Sequence, residues 1–124
     1  MFTGICTYFV EANTVGQFNA WNNTIEAGSS SQTYGLYFYG GNAVIANNNV
    51  NDAEYAIYAN SAHSVETMDN HITNASYGFF VENVISYLSH GDKTLFGNNP
   101  VYLQDNGNVT FQGDTFSNYT SNAY

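Results

Sequence analysis

The chain has 124 residues, one domain by length, and 44% of them are hydrophobic, enough for a core and too many for wholesale disorder. Charged residues make up only 9%, against roughly 25% in an average soluble domain, and the single basic side chain, Lys93, faces ten acidic ones for a net charge of −9. That balance excludes a phosphate-gripping surface, and with it nucleic acid as a partner; it sets the chain against anionic membranes, and no apolar run reaches the length of a membrane span.

From Phe2 to Val10 the chain reads as strand, and its first residues carry no basic region of the kind that opens a secretory signal. Cys6 is alone, so an intramolecular disulfide is excluded; with no basic group near it in sequence it reads as a small buried apolar residue. The first polar landmark is Asn23, and it recurs. Asn23, Asn48, Asn70, Asp92 and Asp114 follow one another at steps of 25, 22, 22 and 22 residues. Two positions after each stand Ile25, Val50, Ile72, Thr94 and Phe116. A second apolar series runs Leu36, Ile57, Phe79 and Val101, and a third Phe18, Val44, Val65, Tyr87 and Val109. The repeat lengthens at Gly28-Ser29-Ser30-Ser31. Within each repeat, short runs of Tyr, Phe, Val, Ile and Thr alternate with Asn, Gly and Ser, the pattern of three strands and three turns rather than of helix. The expected fold is all-β, a single domain over residues 1–124. It is a right-handed parallel β-helix, or β-solenoid, of about five coils with about 22 residues per coil.

The motif Asn-x-Ile/Val followed by Ala-x-Tyr-Gly/Ala-Leu/Ile/Phe is clearest in Asn70-His71-Ile72-Thr73-Asn74-Ala75-Ser76-Tyr77-Gly78-Phe79. It resembles the parallel β-helix repeats of the pectate-lyase-like superfamily, and the resemblance extends from about Phe9 to Phe116. It implies that the column Asn23, Asn48, Asn70, Asp92, Asp114 marks the bend between the second and third strands of each coil. Asn tolerates the left-handed backbone of such a bend, and its amide both donates and accepts along a stack. With Asp at the last two positions, two acids stand about one rung apart, which points to a strained or more solvated C-terminal end.

Alternation along the first strand buries Leu36, Ile57, Phe79 and Val101 and turns Tyr37, Tyr58, Phe80 and Tyr102 outward. Tyr34, Tyr55 and Tyr77 are expected in the preceding turn. This aromatic stripe reads as a contact surface for sugar rings or for a neighbouring subunit. In the enzymes of the superfamily, the resemblance implies, a groove on that face is lined by carboxylates, often with calcium, and by an Arg or Lys base. Here the next outward positions are Tyr39, Asn60, Glu82 and Gln104, with Glu82 the one carboxylate, and Lys93 falls at another corner. The expectation is therefore no catalytic residue, no metal, no cofactor and no enzyme. His90 and Asp92 are too weakly spaced for a dyad, and His71 shares the phase of Lys93 rather than of His90. Asp52, Glu54, Glu66 and Asp69 match no calcium-loop pattern. Glycosylation sequons begin at Asn22, Asn74, Asn108 and Asn118, about as many as chance supplies in so Asn-rich a chain.

No amphipathic capping helix is evident at either end. The functional expectation is a structural subunit of an extracellular or cell-surface assembly, partnered by itself and growing as a filament by head-to-tail stacking. The alternatives are a glycan-binding module taking polysaccharide, and a non-catalytic fragment of a polysaccharide lyase, epimerase or phage tailspike.

Overall fold

The computed structural model describes residues 2–3, 8–13, 16–28 and 33–119. Those residues form strands β1 to β14 and the bends between them, with no helix. The strands fall into three walls. The first wall stacks β2 (Tyr8–Asn13), β5 (Tyr34–Tyr39), β8 (Tyr55–Asn60) and the second halves of β10 (His71–Glu82) and β12 (Lys93–Gln104). The second wall stacks β3 (Gln17–Trp21), β6 (Asn42–Ala46), β9 (Ser64–Met68), β11 (Ser86–His90) and β13 (Asn108–Gln112). The third wall stacks β1 (Phe2–Thr3), β4 (Thr24–Glu26), β7 (Asn49–Asn51), the first halves of β10 and β12, and β14 (Thr115–Tyr119).

Every pairing is parallel and joins a residue to its equivalent in the next coil, as in Ser64↔Ser86↔Asn108. The chain is thus a β-solenoid of five rungs in the second wall, about four full turns from first to last, with 22 residues per turn after the first. Parallel strands elsewhere need long crossovers. Here the rest of the coil is the crossover, and each coil's outward backbone groups are satisfied by the next.

What bends the chain is a left-handed residue at most of the described corners. Between the second and third walls these are Asn22, Asn47, Asp69, Gly91 and Gly113, all with φ between 52° and 70°. Between the first and second walls they are Gly40 with Gly41, Ser61, Asn83 and Asp105, and between the third and first Gly28, Asp52 and Asn74. At the first of these corners the left-handed residue is the one before each column residue. Asn23, Asn48, Asn70, Asp92 and Asp114 are themselves absent from the positive-φ set, so the column residues are selected for hydrogen bonding and not for backbone freedom.

The interior is a set of apolar columns. Leu36, Ile57, Phe79 and Val101 form one, and Ile25, Val50 and Ile72 a second, all buried. In the second wall the column is Phe18, Ala43, Val65, Tyr87, Val109, and not Val44, which pairs with Asn19 and Glu66 on the outer side. A one-residue slip exchanges the two faces of a strand. Its cause is the Gly40-Gly41 bend: Leu36 to Ala43 spans one residue fewer than Ile57 to Val65. Where the third wall turns into the first, two consecutive residues point inward, the first of them small: Gly35, Ala56 and Gly78, all buried. A Cβ on Gly35 would stand 2.6 Å from the Ala56 carbonyl oxygen, and one on Gly78 2.5 Å from that of Pro100, so the coils approach too closely there for a side chain.

Thr94 continues the column of Ile25, Val50 and Ile72, and its hydroxyl is buried with no partner among the described residues. An unsatisfied buried hydroxyl costs about 1–3 kcal/mol, and the equivalent rung at Val50 already accepts Val. Thr94→Val is expected to stabilise the fold by about 1 kcal/mol, read as a higher midpoint in denaturant unfolding. A lower midpoint would show that the hydroxyl is satisfied.

Candidate functional site

Two features bring together residues with chemical reach: the largely buried polar column at the corner between second and third walls, and the aromatic face of the first wall. The column is a directional chain of hydrogen bonds. The backbone N–H and Nδ2 of Asn23 both donate to Asn48 Oδ1, at 3.0 and 2.9 Å. Those of Asn48 donate to Asn70 Oδ1 at 3.0 and 2.9 Å, and those of Asn70 to Asp92 Oδ1 at 2.8 Å each. The second amide proton of Asn48 reaches the carbonyl of Ala20, and that of Asn70 the carbonyl of Ile45. Asp92 N–H continues the chain to Asp114 Oδ1 at 2.8 Å.

At Asp92 the amide is replaced by an acid, and this rung is sealed from solvent, whereas Asp114 at the end of the column is partly exposed. Asp92 has no exposed surface. Its Oδ2 stands where an amide nitrogen would donate, and two buried hydroxyls meet it, Thr67 Oγ1 at 2.7 Å and Ser89 Oγ at 2.8 Å. The equivalent positions in earlier rungs are Ala20 and Ile45, so hydroxyls appear in this column where the acid does. Tyr87 adds its phenol 3.0 Å from Thr67 Oγ1. Ser89 Oγ also lies 2.9 Å from Asp114 Oδ1. One hydroxyl has one proton: if Ser89 donates to Asp114, its contact with Asp92 is a hydrogen bond only when Oδ2 is protonated. Burial pushes the Asp92 carboxyl above the ordinary 3.8, against the downward pull of the bonds from Thr67, Asn70 and Ser89.

A carboxyl whose pKa is higher in the fold than in the unfolded chain favours folding when protonated. Its contribution is complete below the unfolded value near 3.8 and is lost as pH rises through the folded value. Asp92→Asn replaces the acid by the residue of the earlier rungs. Relative to wild type, the variant is expected to gain stability as pH rises from about 4 to 7, measured as the difference in unfolding free energy. A difference that does not change with pH would defeat the assignment. Asn70→Ala, by contrast, leaves the Asn48 N–H and Nδ2 without their acceptor and takes one of two donors from Asp92 Oδ1, and is expected to cost about 2–4 kcal/mol at any pH.

The first wall carries the expected stripe. Tyr37, Tyr58, Phe80 and Tyr102 form one column with ring centroids 5.2, 4.7 and 4.5 Å apart, the last two pairs nearly parallel. Tyr34, Tyr55 and Tyr77 lie in the strands themselves and form a second column at 4.8 and 5.1 Å. The paired inward residues at the corner bring both columns to the same side, where they meet edge to face, as Tyr55 does Tyr58 and Phe80 at 5.4 and 5.3 Å. These spacings match the ~4.8 Å between rungs, so rings lie over one another and each face is taken by its neighbour. What the stripe offers outward is ring edges and hydroxyls. The Tyr58 hydroxyl is bound to Glu82 Oε1 at 2.5 Å.

Other residues singled out in the sequence disperse. His90 pairs with Glu66, 2.9 Å away across one rung, and Asp92 points inward from it. His71 stands over Lys93 in the third wall, in the shared phase expected. Asp52 and Glu54 lie at the corner from third wall to first, Glu66 in the second wall, and Asp69 at the corner beyond it, so the four do not converge. Asn22, Asn74 and Asn108 are exposed, the first two in left-handed corner positions; Asn118 lies in β14, its side chain outside the described residues. A residue the sequence reading passed over is Asn106, whose Oδ1 accepts from Val84 N–H and whose Nδ2 donates to the Val81 carbonyl, both at 2.9 Å. The position it continues is Ala62 and Val84, so no repeat betrayed it. Above that corner lies an open depression of about 460 Å³, lined by Gly41, Asn42, Ser61, Ala62, His63, Asn83 and Ile85.

No family model, no curated protein and no solved structure matches the chain.

Proposed function

We propose that this chain is a non-enzymatic structural subunit of an extracellular or cell-surface assembly, built by end-to-end stacking of solenoids. The observation that carries the reading is the polarity of the polar column. Every rung donates toward the C-terminal end and accepts from the N-terminal end. Among the described residues no donor reaches Asn23 Oδ1 at one end and no acceptor meets Asp114 N–H at the other. One copy's donor thus answers the next copy's acceptor.

The second wall supports the same reading. Its edges are β3 and β13, five residues each, and continuing the register places Val109 over Phe18 and Phe111 over Ala20, apolar on apolar. An edge strand with unpaired backbone groups recruits another strand. Sparse charge of one sign keeps the sides of such a fibre apart while leaving its ends free to pair. A chain rich in Asn and Tyr and poor in charge favours the extracellular setting.

Asn108 N–H points to Ile85 and the Gln112 carbonyl to Gly91, so by alternation the N–H groups of Val109 and Phe111 face away from β11. Val109→Pro removes an outward donor and none that β11 uses. The wild-type chain is expected to form filaments visible by electron microscopy at high concentration. Val109→Pro is expected to remain as folded, dispersed monomers, with its circular dichroism unchanged. A wild-type chain that stays monomeric at any concentration would refute stacking.

A further inference from the structure

In the third wall the two ends of the solenoid differ. At the N-terminal end β1 pairs with β4 in the register Phe2↔Ile25 and Thr3↔Glu26, and Ile25 has no exposed surface. At the C-terminal end Phe116, the last member of the Ile25 column, is 36% exposed. One end of this column is covered and the other is open.

Stacking as read above sets β3 of one copy on β13 of another. The strand after β13 is β14, and the strand after β3 is β4. So β14 of the first copy arrives at β4 of the second, at the level where β1 already lies. Two strands cannot share one edge. The column registers then place Thr115 at Thr24, Phe116 at Ile25 and Ser117 at Glu26. The arriving pair is Phe116-Ser117; the resident pair at those two positions is Phe2-Thr3. The same residue types, an aromatic followed by a small hydroxyl residue, stand at equivalent places in both.

We propose that β1 is a built-in cap on the β4 edge, and that a second copy of this chain docks by displacing it with its own β14. The inference rests on the stacking reading and adds to it a surface, a register and a resident competitor. The arriving strand is longer, five residues against two, and joins the ladder together with β13 and the polar column, so exchange gains pairing overall. The resident strand must leave first, and only the copies in which it has left accept a partner. This lowers the effective affinity of the end by that fraction. It also keeps a dilute chain monomeric.

Two measurements on the full chain, both with Cys6→Ser, test this. In the first, Thr3→Cys and Glu26→Cys in one chain lock β1 to β4 on oxidation, and growth is followed by light scattering. The oxidised chain is expected to elongate at least about tenfold more slowly than the reduced one, with reductant restoring the rate. Equal rates in the two states would overturn the cap. In the second, Glu26→Cys protein is mixed with Ser117→Cys protein, and the filaments are oxidised. A disulfide between the two different variants is expected. Filaments that grow with these thiols unlinked would overturn the exchange and leave stacking intact, whereas reduced chains that never assemble would overturn both.

Discussion

Everything in this molecule depends on like residues lying over like, one rung apart. Strand segments confined to one short wall cannot hold themselves together, and a single coil has no interior. Hydrogen bonds along the axis remedy the first lack and apolar columns the second, and both are set by one 22-residue period. The period in turn is set by the corners, since each left-handed residue fixes where a wall ends. Loss of one residue between Gly40 and the second wall is tolerated because the slip is absorbed within that bend, and Ala43 rather than Val44 enters the core.

The polar column shows how strictly a stack constrains chemistry. An amide supplies two protons and one acceptor oxygen, which is what each rung requires: a donor to the next oxygen, a donor to a carbonyl below, and an oxygen for the rung before. An acid at Asp92 still accepts but no longer donates from that side chain. The fold compensates at neighbouring positions, with Thr67 and Ser89 pointing hydroxyls at the displaced function where earlier rungs have Ala20 and Ile45. The substitution is therefore not local. It involves a serine, a threonine, the phenol of Tyr87 and a second acid, and it makes the C-terminal half of the column sensitive to proton concentration where the N-terminal half is not.

The fold was legible because its signal is repetition, and repetition survives in the sequence whatever the propensities of single residues. Leu36, Ile57, Phe79 and Val101, or Asn48 and Asn70, declare a column at sight. What repetition cannot show is anything that happens once. Asn106 has no counterpart in Ala62 and Val84, and the Glu66–His90 pair joins positions that no other rung fills with charge. The left-handed corners repeat, yet in residue types as different as Asn22, Asp69 and Gly91, so the more uniform neighbouring column stands out in the sequence and they do not. Tyr34, Tyr55 and Tyr77 were visible as a series. Their meeting with the Tyr37 column was not, because strict alternation sends residues three apart to opposite faces. Only the doubled inward step at Gly35, Ala56 and Gly78 brings them together.

That doubled step bears on what the aromatic face is for. Seven rings in two interlocked columns bury their faces in one another, and the buried contacts run along the axis in the same direction as the backbone hydrogen bonds. Stacked and edge-to-face aromatic pairs contribute about 0.5–1.5 kcal/mol each beyond the area they bury. On a short solenoid with few charges, such a face stiffens the first wall much as the polar column stiffens the corner opposite. Both devices join rung to rung as well as acting within one, and so both gain from every rung added. Contacts that run along one axis leave their open partners at its two ends, which is where the proposed stacking would satisfy them without altering any wall.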